Sequence, residues 1–219
     1  MKKVIILGGQ GDGVGIASLI NDMQKEGHHI KLLGFLNDSE DKRILNFPVL
    51  GSLSDWKNYE KYEDVYFITA LLKTKYSYQR SRLINDLKIP INKYCNIIHP
   101  TATISDYSKI GAGNVIGPNV NIMPNVIIGN HCSFRASANI GHDCKINNFC
   151  YMGPNSTMAG KSILNDGAHI GPNASVLDGK VVNKHSVLGM NSCATKDLDE
   201  FSVYFGLPAK KIGIIQKII

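Results

Sequence analysis

From Ile98 to Ala194 every sixth residue is apolar. The series opens Ile98, Ile104, Ile110, Ile116 and closes Val182, Leu188, Ala194, seventeen positions without an exception. With 43% of the chain apolar, an unbroken run of that length has a chance probability on the order of one in a million. A period of six fits neither the 3.6 of a helix nor the 2.0 of a continuous strand, but it fits a short strand and a turn, repeated. Four residues after each apolar position a small one is usual (Ala102, Ser108, Cys132, Ala138, Cys144, Ser162), and glycine often follows it directly (Gly111, Gly117, Gly141, Gly171). The large side chain fills an interior and the small one fits a corner. Three hexads close a triangular coil of 18 residues, so the pattern predicts a parallel β-helix of nearly six coils, with core positions stacked about 4.8 Å apart and no inserted loop. The Gly-Pro-Asn triplets beginning at Gly117, Gly153 and Gly171 then stack at one corner as turns.

The first 92 residues lack the hexad. Lys3 to Leu7 reads as a buried strand, Gly8 to Gly15 as a tight glycine turn, Val14 to Lys25 as an amphipathic helix ended by Gly27, and Ile30 to Leu36 as a second strand. That is a βαβ unit, with Asn37-Asp38 about 25 positions after the glycines. A later buried strand is expected over Asp64 to Ala70 and a helix over Lys75 to Leu87. Glycines at such a turn let a backbone approach a phosphate and offer it helix N-terminal amides, so nucleotide binding is one reading and a purely structural turn the other. Asp12 would repel a diphosphate if it pointed inward. No second half follows for a dinucleotide, and the economical ligand is a nucleotide attached to something else.

Composition narrows the partners. A chain of 219 residues with 19% charged residues folds around a sizeable core. A net charge of +6 without long Lys/Arg runs does not indicate a nucleic-acid surface. Met1-Lys2-Lys3 leads into too short an apolar run for a secretory leader, and no run is long enough to span a membrane, so a cytoplasmic location is expected. Five cysteines, an odd number, fit free thiols acting as small fillers, including Cys132 and Cys150 one coil apart.

The constellation with chemistry is Asn139-Ile140-Gly141-His142-Asp143-Cys144. By register Ile140 and Cys144 point inward, so His142 and Asp143 stand on the outer turn. An exposed imidazole beside a carboxylate is a general-base arrangement, since the carboxylate can orient the ring and stabilise its protonated form. The same pair also reads as a solvated surface pair. The other solenoid histidines (His99, His131, His169, His185) include no two five residues apart, the spacing of the metal-binding β-helix carbonic anhydrases, and no metal is expected.

Three segments together, Ile5 to Gly13 with Phe35-Leu36-Asn37-Asp38, then His142-Asp143-Cys144, then Gly206-Leu207-Pro208-Ala209-Lys210, resemble the bacterial sugar acetyltransferases that join a nucleotide-sugar domain to a left-handed β-helix. These include bacillosamine-pathway and other 4-amino-sugar N-acetyltransferases and the sialic acid O-acetyltransferases. The resemblance covers nearly the whole chain. It implies a Rossmann-like nucleotide-sugar domain over 1–92, a left-handed β-helix over 93–197 and a capping segment over 198–219. It also implies acetyl-CoA as co-substrate, with a homotrimer carrying each site between neighbouring solenoids. His142 becomes the general base, Asp143 its orienter and the Gly160 amide, 18 residues on, the oxyanion donor. Ala159, Gly160, Gly179, Pro208 and Lys210 become acetyl-CoA contacts, and Gly9, Gln10, Gly11, Asp12, Gly13, Asn37, Asp38, Arg135 and Asn139 contacts of a nucleotide-linked amino sugar. Lys211 shares with Lys210 a possible role at the CoA phosphates, beside the simpler role of a closing strand. Asp12, Asn37, Arg135, Gly141 and Tyr151 depart from residues common in relatives, which bears on the acceptor rather than on acetyl transfer. The rivals are an O-acetyltransferase and a non-catalytic nucleotide-binding scaffold.

Overall fold

The computed structural model describes residues 1–71 and 77–215. Five strands form the N-terminal sheet: β1 (Lys2–Leu7), β2 (Ile30–Leu36), β3 (Arg43–Ile44), β4 (Phe47–Gly51) and β5 (Val65–Thr69), in the order β3-β4-β2-β1-β5. β1 runs parallel to β2 and β5, β2 parallel to β4, and only β3 is antiparallel to its neighbour. Val4, Ile5, Ile6 and Leu7 are all fully buried because both faces of the sheet are covered. Val4 and Ile6 face helix α1 (Asp12–Lys25) through Ile16, Ala17 and Ile20, while Ile5 and Leu7 face Trp56, Phe67 and Ile84. Gly27, at φ +83, follows the helix and lets His28 N–H reach Met23 C=O.

Two expectations shift here. The glycine turn closes by Gly11, and α1 starts at Asp12 rather than Val14, so Asp12 and Gly13 belong to the helix's first turn. The later helix, α2, spans Ser77–Asp86, and the expected start at Lys75 and Tyr76 lies outside the described residues. The β3–β4 hairpin and a 3₁₀ turn over Leu53–Tyr59 stand where no element was expected. That turn is held by a capping box in which Ser52 and Asp55 bond reciprocally.

From β6 (Ile97–Ile98) to β22 (Cys193–Ala194) the chain makes seventeen two-residue strands, one every six residues, in three parallel sheets. Neighbours within a sheet are 18 residues apart, as Asn139 beside Thr157 and Ile140 beside Met158. Ile140, Met152, Met158, Leu164 and Ile170 are completely buried in the prism. Cys132, Cys144 and Cys150 are buried free thiols at its corners, where Cys132 donates to Asn147 C=O at 3.0 Å and Cys150 to Asn165 C=O at 3.2 Å. One residue of most turns adopts positive φ, including Asn125, His131, Asp143 and Phe149; Asn, Asp and His take the left-handed corner readily, whereas at Phe149 the coil imposes it.

The solenoid is closed by a hairpin, β23 (Ser202–Gly206) pairing parallel with β21 (Val187–Leu188) and antiparallel with β24 (Ala209–Ile214). It covers an edge that would otherwise expose unpaired strand groups. At the other end Cys95, Ile97 and Val115 share a cluster with α1, which fixes the N-terminal unit against the first solenoid sheet. Among the described residues no helix is long and apolar enough to cross a membrane.

Candidate active site

The turn after β13 (Asn139–Ile140) carries His142 and Asp143 on a prism edge. The backbone anchors it on both sides: Asp143 N–H donates to Pro124 C=O one coil earlier at 3.0 Å, and Lys161 N–H donates to His142 C=O at 2.9 Å. His142 Nδ1 lies 2.7 Å from Asp143 Oδ2. An ionised carboxylate only accepts, so the proton of the neutral ring sits on Nδ1 and the lone pair on Nε2. Asp143 Oδ1 accepts a second bond, from Asn125 Nδ2 at 3.2 Å. The His142 bond first, and then the Asn125 bond, hold the Asp143 carboxyl below its ordinary range.

The free nitrogen faces the next coil. A Cβ placed on Gly160 would sit 2.7 Å from His142 Nε2 and 3.0 Å from Asp178 Oδ1, so His142, Gly160 and Asp178 form one column. Gly160 C=O accepts from Gly179 N–H at 3.0 Å, whereas the Gly160 N–H has no acceptor among the described residues. A proton acceptor and an uncommitted amide donor thus stand side by side, the imidazole half-exposed and Gly160 buried. That pair can deprotonate a nucleophile and stabilise charge on an adjacent carbonyl oxygen.

The glycine loop builds a separate place. A cleft of about 730 Å³ lies between Gln10, Gly11 and Asp12 and the outer face of the first solenoid sheet, where Tyr151, His169, Pro172 and Phe205 line it. The loop follows β1, whose neighbours β2 and β5 lie on opposite sides, the switch point at which open parallel sheets bind ligands. Gly9 lets Asn37 pack against the loop, since a Cβ there would crowd the Asn37 amide and fall 3.1 Å from Ile44 Cδ1. Asn37 donates to Ser39 Oγ, and Asp38 Oδ1 accepts the Leu53 N–H at 2.8 Å, so this acid is partly committed to the 3₁₀ turn. Gly13 is buried in the first turn of α1, where a Cβ would press on Phe35 at 3.3 Å, so the bare glycine lets the helix pack close to the sheet.

Asp12 does not confront a ligand as a bare charge. Its carboxylate pairs with the Arg135 guanidinium from the solenoid. Arg135 also lies over the Tyr151 ring at 5.4 Å, and Tyr151 stacks on His169 with centroids 4.3 Å apart and planes 7° from parallel. Burial pushes the His169 imidazole down to about 3, so it is neutral in this wall. Asn139 is not drawn into the cleft: it faces outward from the second sheet and donates to Ser137 C=O. Ala159 and Gly179 flank the Gly160 column. Pro208 and Lys210 lie on the closing hairpin, and Lys211 is engaged by Asp199 at 2.9 Å.

His142 belongs to an edge formed by the second sheet, the Tyr151–His169 wall to the first, and His142 does not line the glycine-loop cleft. Asn125 was not singled out from the sequence, although its place 18 residues before Asp143 is the signal that finds it.

Residues 107–142 match the family described as bacterial transferase hexapeptide (six repeats). No curated protein matches the chain significantly in sequence. Among solved structures, the chain is similar to a His-to-Asn variant of perosamine N-acetyltransferase from Caulobacter crescentus in complex with CoA and GDP-perosamine, at 23% identity and a TM-score of 0.84, covering 97% of this chain and 98% of that one. It is also similar to the acetyltransferase domain of PglB from Neisseria gonorrhoeae in complex with acetyl coenzyme A (22%, TM-score 0.81, 96% and 99%). A third likeness is to WeeI from Acinetobacter baumannii (20%, TM-score 0.79, 96% and 100%). These likenesses span both halves of the chain and establish the fold.

Proposed function

We propose that this fold is an acetyl-CoA-dependent N-acetyltransferase acting on a nucleotide-linked 4-amino-4,6-dideoxy sugar. The observation that carries the reading is the His142 edge: Nδ1 anchored on Asp143 and Nε2 beside Gly160, whose amide is uncommitted. The sugar amine attacks the thioester carbonyl while His142 Nε2 takes its proton, and the Gly160 N–H stabilises the tetrahedral oxyanion. The intermediate collapses with cleavage of the C–S bond, and CoA departs as a thiolate that the imidazolium can protonate. No covalent enzyme intermediate is needed.

An amine acceptor is favoured because similar structures hold CoA together with GDP-perosamine, in forms where a histidine is replaced by Asn or Ala. The N-terminal unit is read as a Rossmann-like nucleotide-sugar domain, with Gly9 to Asp12 and Asn37 at the nucleotide and the Tyr151–His169 wall toward the sugar. Ala159, Gly179, Pro208 and Lys210 are assigned to acetyl-CoA. The separation of His142 from the glycine-loop cleft within one chain supports a homotrimer, in which a neighbour's edge completes the site.

The test is a thiol-release assay with acetyl-CoA and UDP-, dTDP- and GDP-linked amino sugars. His142→Ala is expected to lower kcat by roughly 10²-fold or more with the oligomer intact, in line with general-base contributions. Near-normal turnover in that variant removes His142 from the mechanism.

A further inference from the structure

The edge that carries His142 is built from two columns of turn residues stepping along the prism. One holds His142, Gly160 and Asp178; the other holds Asn125, Asp143 and Lys161, each 18 residues from the next. Asp143 therefore has a neighbour on either side that is not His142. Asn125 donates its amide N–H to Asp143 Oδ1 at 3.2 Å, and the Lys161 ammonium adds a favourable field. The two carboxylate oxygens are divided: Oδ2 serves the imidazole and Oδ1 serves Asn125.

That division matters because the carboxylate is nearly half exposed and sits on a short side chain with rotational freedom. Tethered at one end only, it can turn toward water and leave Nδ1 without a partner. Held at both ends, it presents Oδ2 to Nδ1 continuously, fixing the tautomer and the direction in which Nε2 points. We infer that Asn125 is a positioning residue of the catalytic edge, holding Asp143 so that Asp143 can hold His142. The inference rests on the general-base reading of His142 and extends it to a third coil.

Asn125 has φ +63, which favours Gly, Asn and Asp there, so two substitutions keep the backbone while changing the side chain. Asn125→Gly removes the tether, and Asn125→Asp replaces a donor with a carboxylate facing Asp143. Each is expected to lower kcat about threefold to tenfold, the range of one net hydrogen bond, with KM for both substrates within twofold. The loss should vanish in an Asp143→Ala background, since without Asp143 there is nothing to hold. The variants differ in pH profile: the added negative charge of Asn125→Asp moves the acid limb of kcat/KM to higher pH, and Asn125→Gly does not. Full activity of Asn125→Gly in an enzyme that His142→Ala inactivates overturns this assignment alone. An equal loss with and without Asp143 also overturns it, because a merely structural role predicts that. A fully active His142→Ala instead overturns the base reading beneath it.

Discussion

At Gly160 a single hydrogen atom decides whether the His142 imidazole and the amide can stand together. A methyl group there would lie 2.7 Å from His142 Nε2, closer than real contacts permit, and the imidazole is the movable partner. Gly160→Ala is therefore expected to lower kcat at least tenfold through displacement of Nε2, with little change in thermal stability because, although Gly160 is buried, the ring it displaces is half-exposed and can swing outward. A circular-dichroism melt beside the thiol-release assay checks both halves; an unaffected kcat shows that the imidazole stands clear of Gly160. His131 shows the opposite case of a ring that is buried. It is 6% exposed, stacked on Phe149 and edge-on to Tyr94, and its Nδ1 has no partner. Burial pushes its pKa down to about 4 from 6.5, so the unfolded chain binds the extra proton between those values. Its contribution is complete above about pH 6.5 and is lost as pH falls toward 4, by roughly 3 kcal/mol at most. His131→Phe should flatten that acid slope in melts from pH 7 to pH 4. Phe149 occupies the same turn position one coil later with φ 59, so the backbone accepts an aromatic ring there. An unchanged slope assigns the acid sensitivity to other groups.

Among the elements, legibility follows periodicity. The seventeen strands stand where the hexad places them because each buries one side chain in a prism that tolerates no slip. The approach of His142 to Gly160 follows from the 18-residue step alone. The β3–β4 hairpin was not legible: two-residue and five-residue strands with Pro48 in the second carry no clean alternation, and their pairing is dictated by the free edge of β2. The start of α1 moved to Asp12 because Gly11, at φ +76, ends the turn and an acidic residue suits a helix's first turn. Neither the Asp12–Arg135 pair nor the commitment of Asp38 to Leu53 could be read, since each joins residues that no local pattern relates. Asn125 could have been found, had the 18-residue step been applied backward from Asp143 as well as forward from His142.

At the scale of the whole molecule, the His142 edge and the glycine-loop cleft stand apart within one chain, and the proposed function joins them across subunits. His142→Ala removes the proposed base, and Gly9→Ala crowds Asn37 at the glycine loop. If the loop of one subunit serves the base of its neighbour, co-expression of these two variants yields mixed oligomers with one intact site, and activity returns where each homo-oligomer has little. No recovery in mixed oligomers means that each chain completes its own site, and light scattering of the same samples reports the assembly state.

The closing hairpin attaches at the end of the solenoid, through β21 and the Gly206 N–H bond to Ser192 Oγ, and the bridge between Val182 and Leu198 holds the segment leading into it. Duplicating one coil beyond Asp178 would carry that hairpin about 4.8 Å farther from Gly160 while leaving the His142 edge untouched. With the closing hairpin holding the far end of acetyl-CoA, as proposed above, the distance between the two ends of that long co-substrate is set by whole coils, so a lineage could lengthen or shorten its reach in fixed steps without redesigning its chemistry.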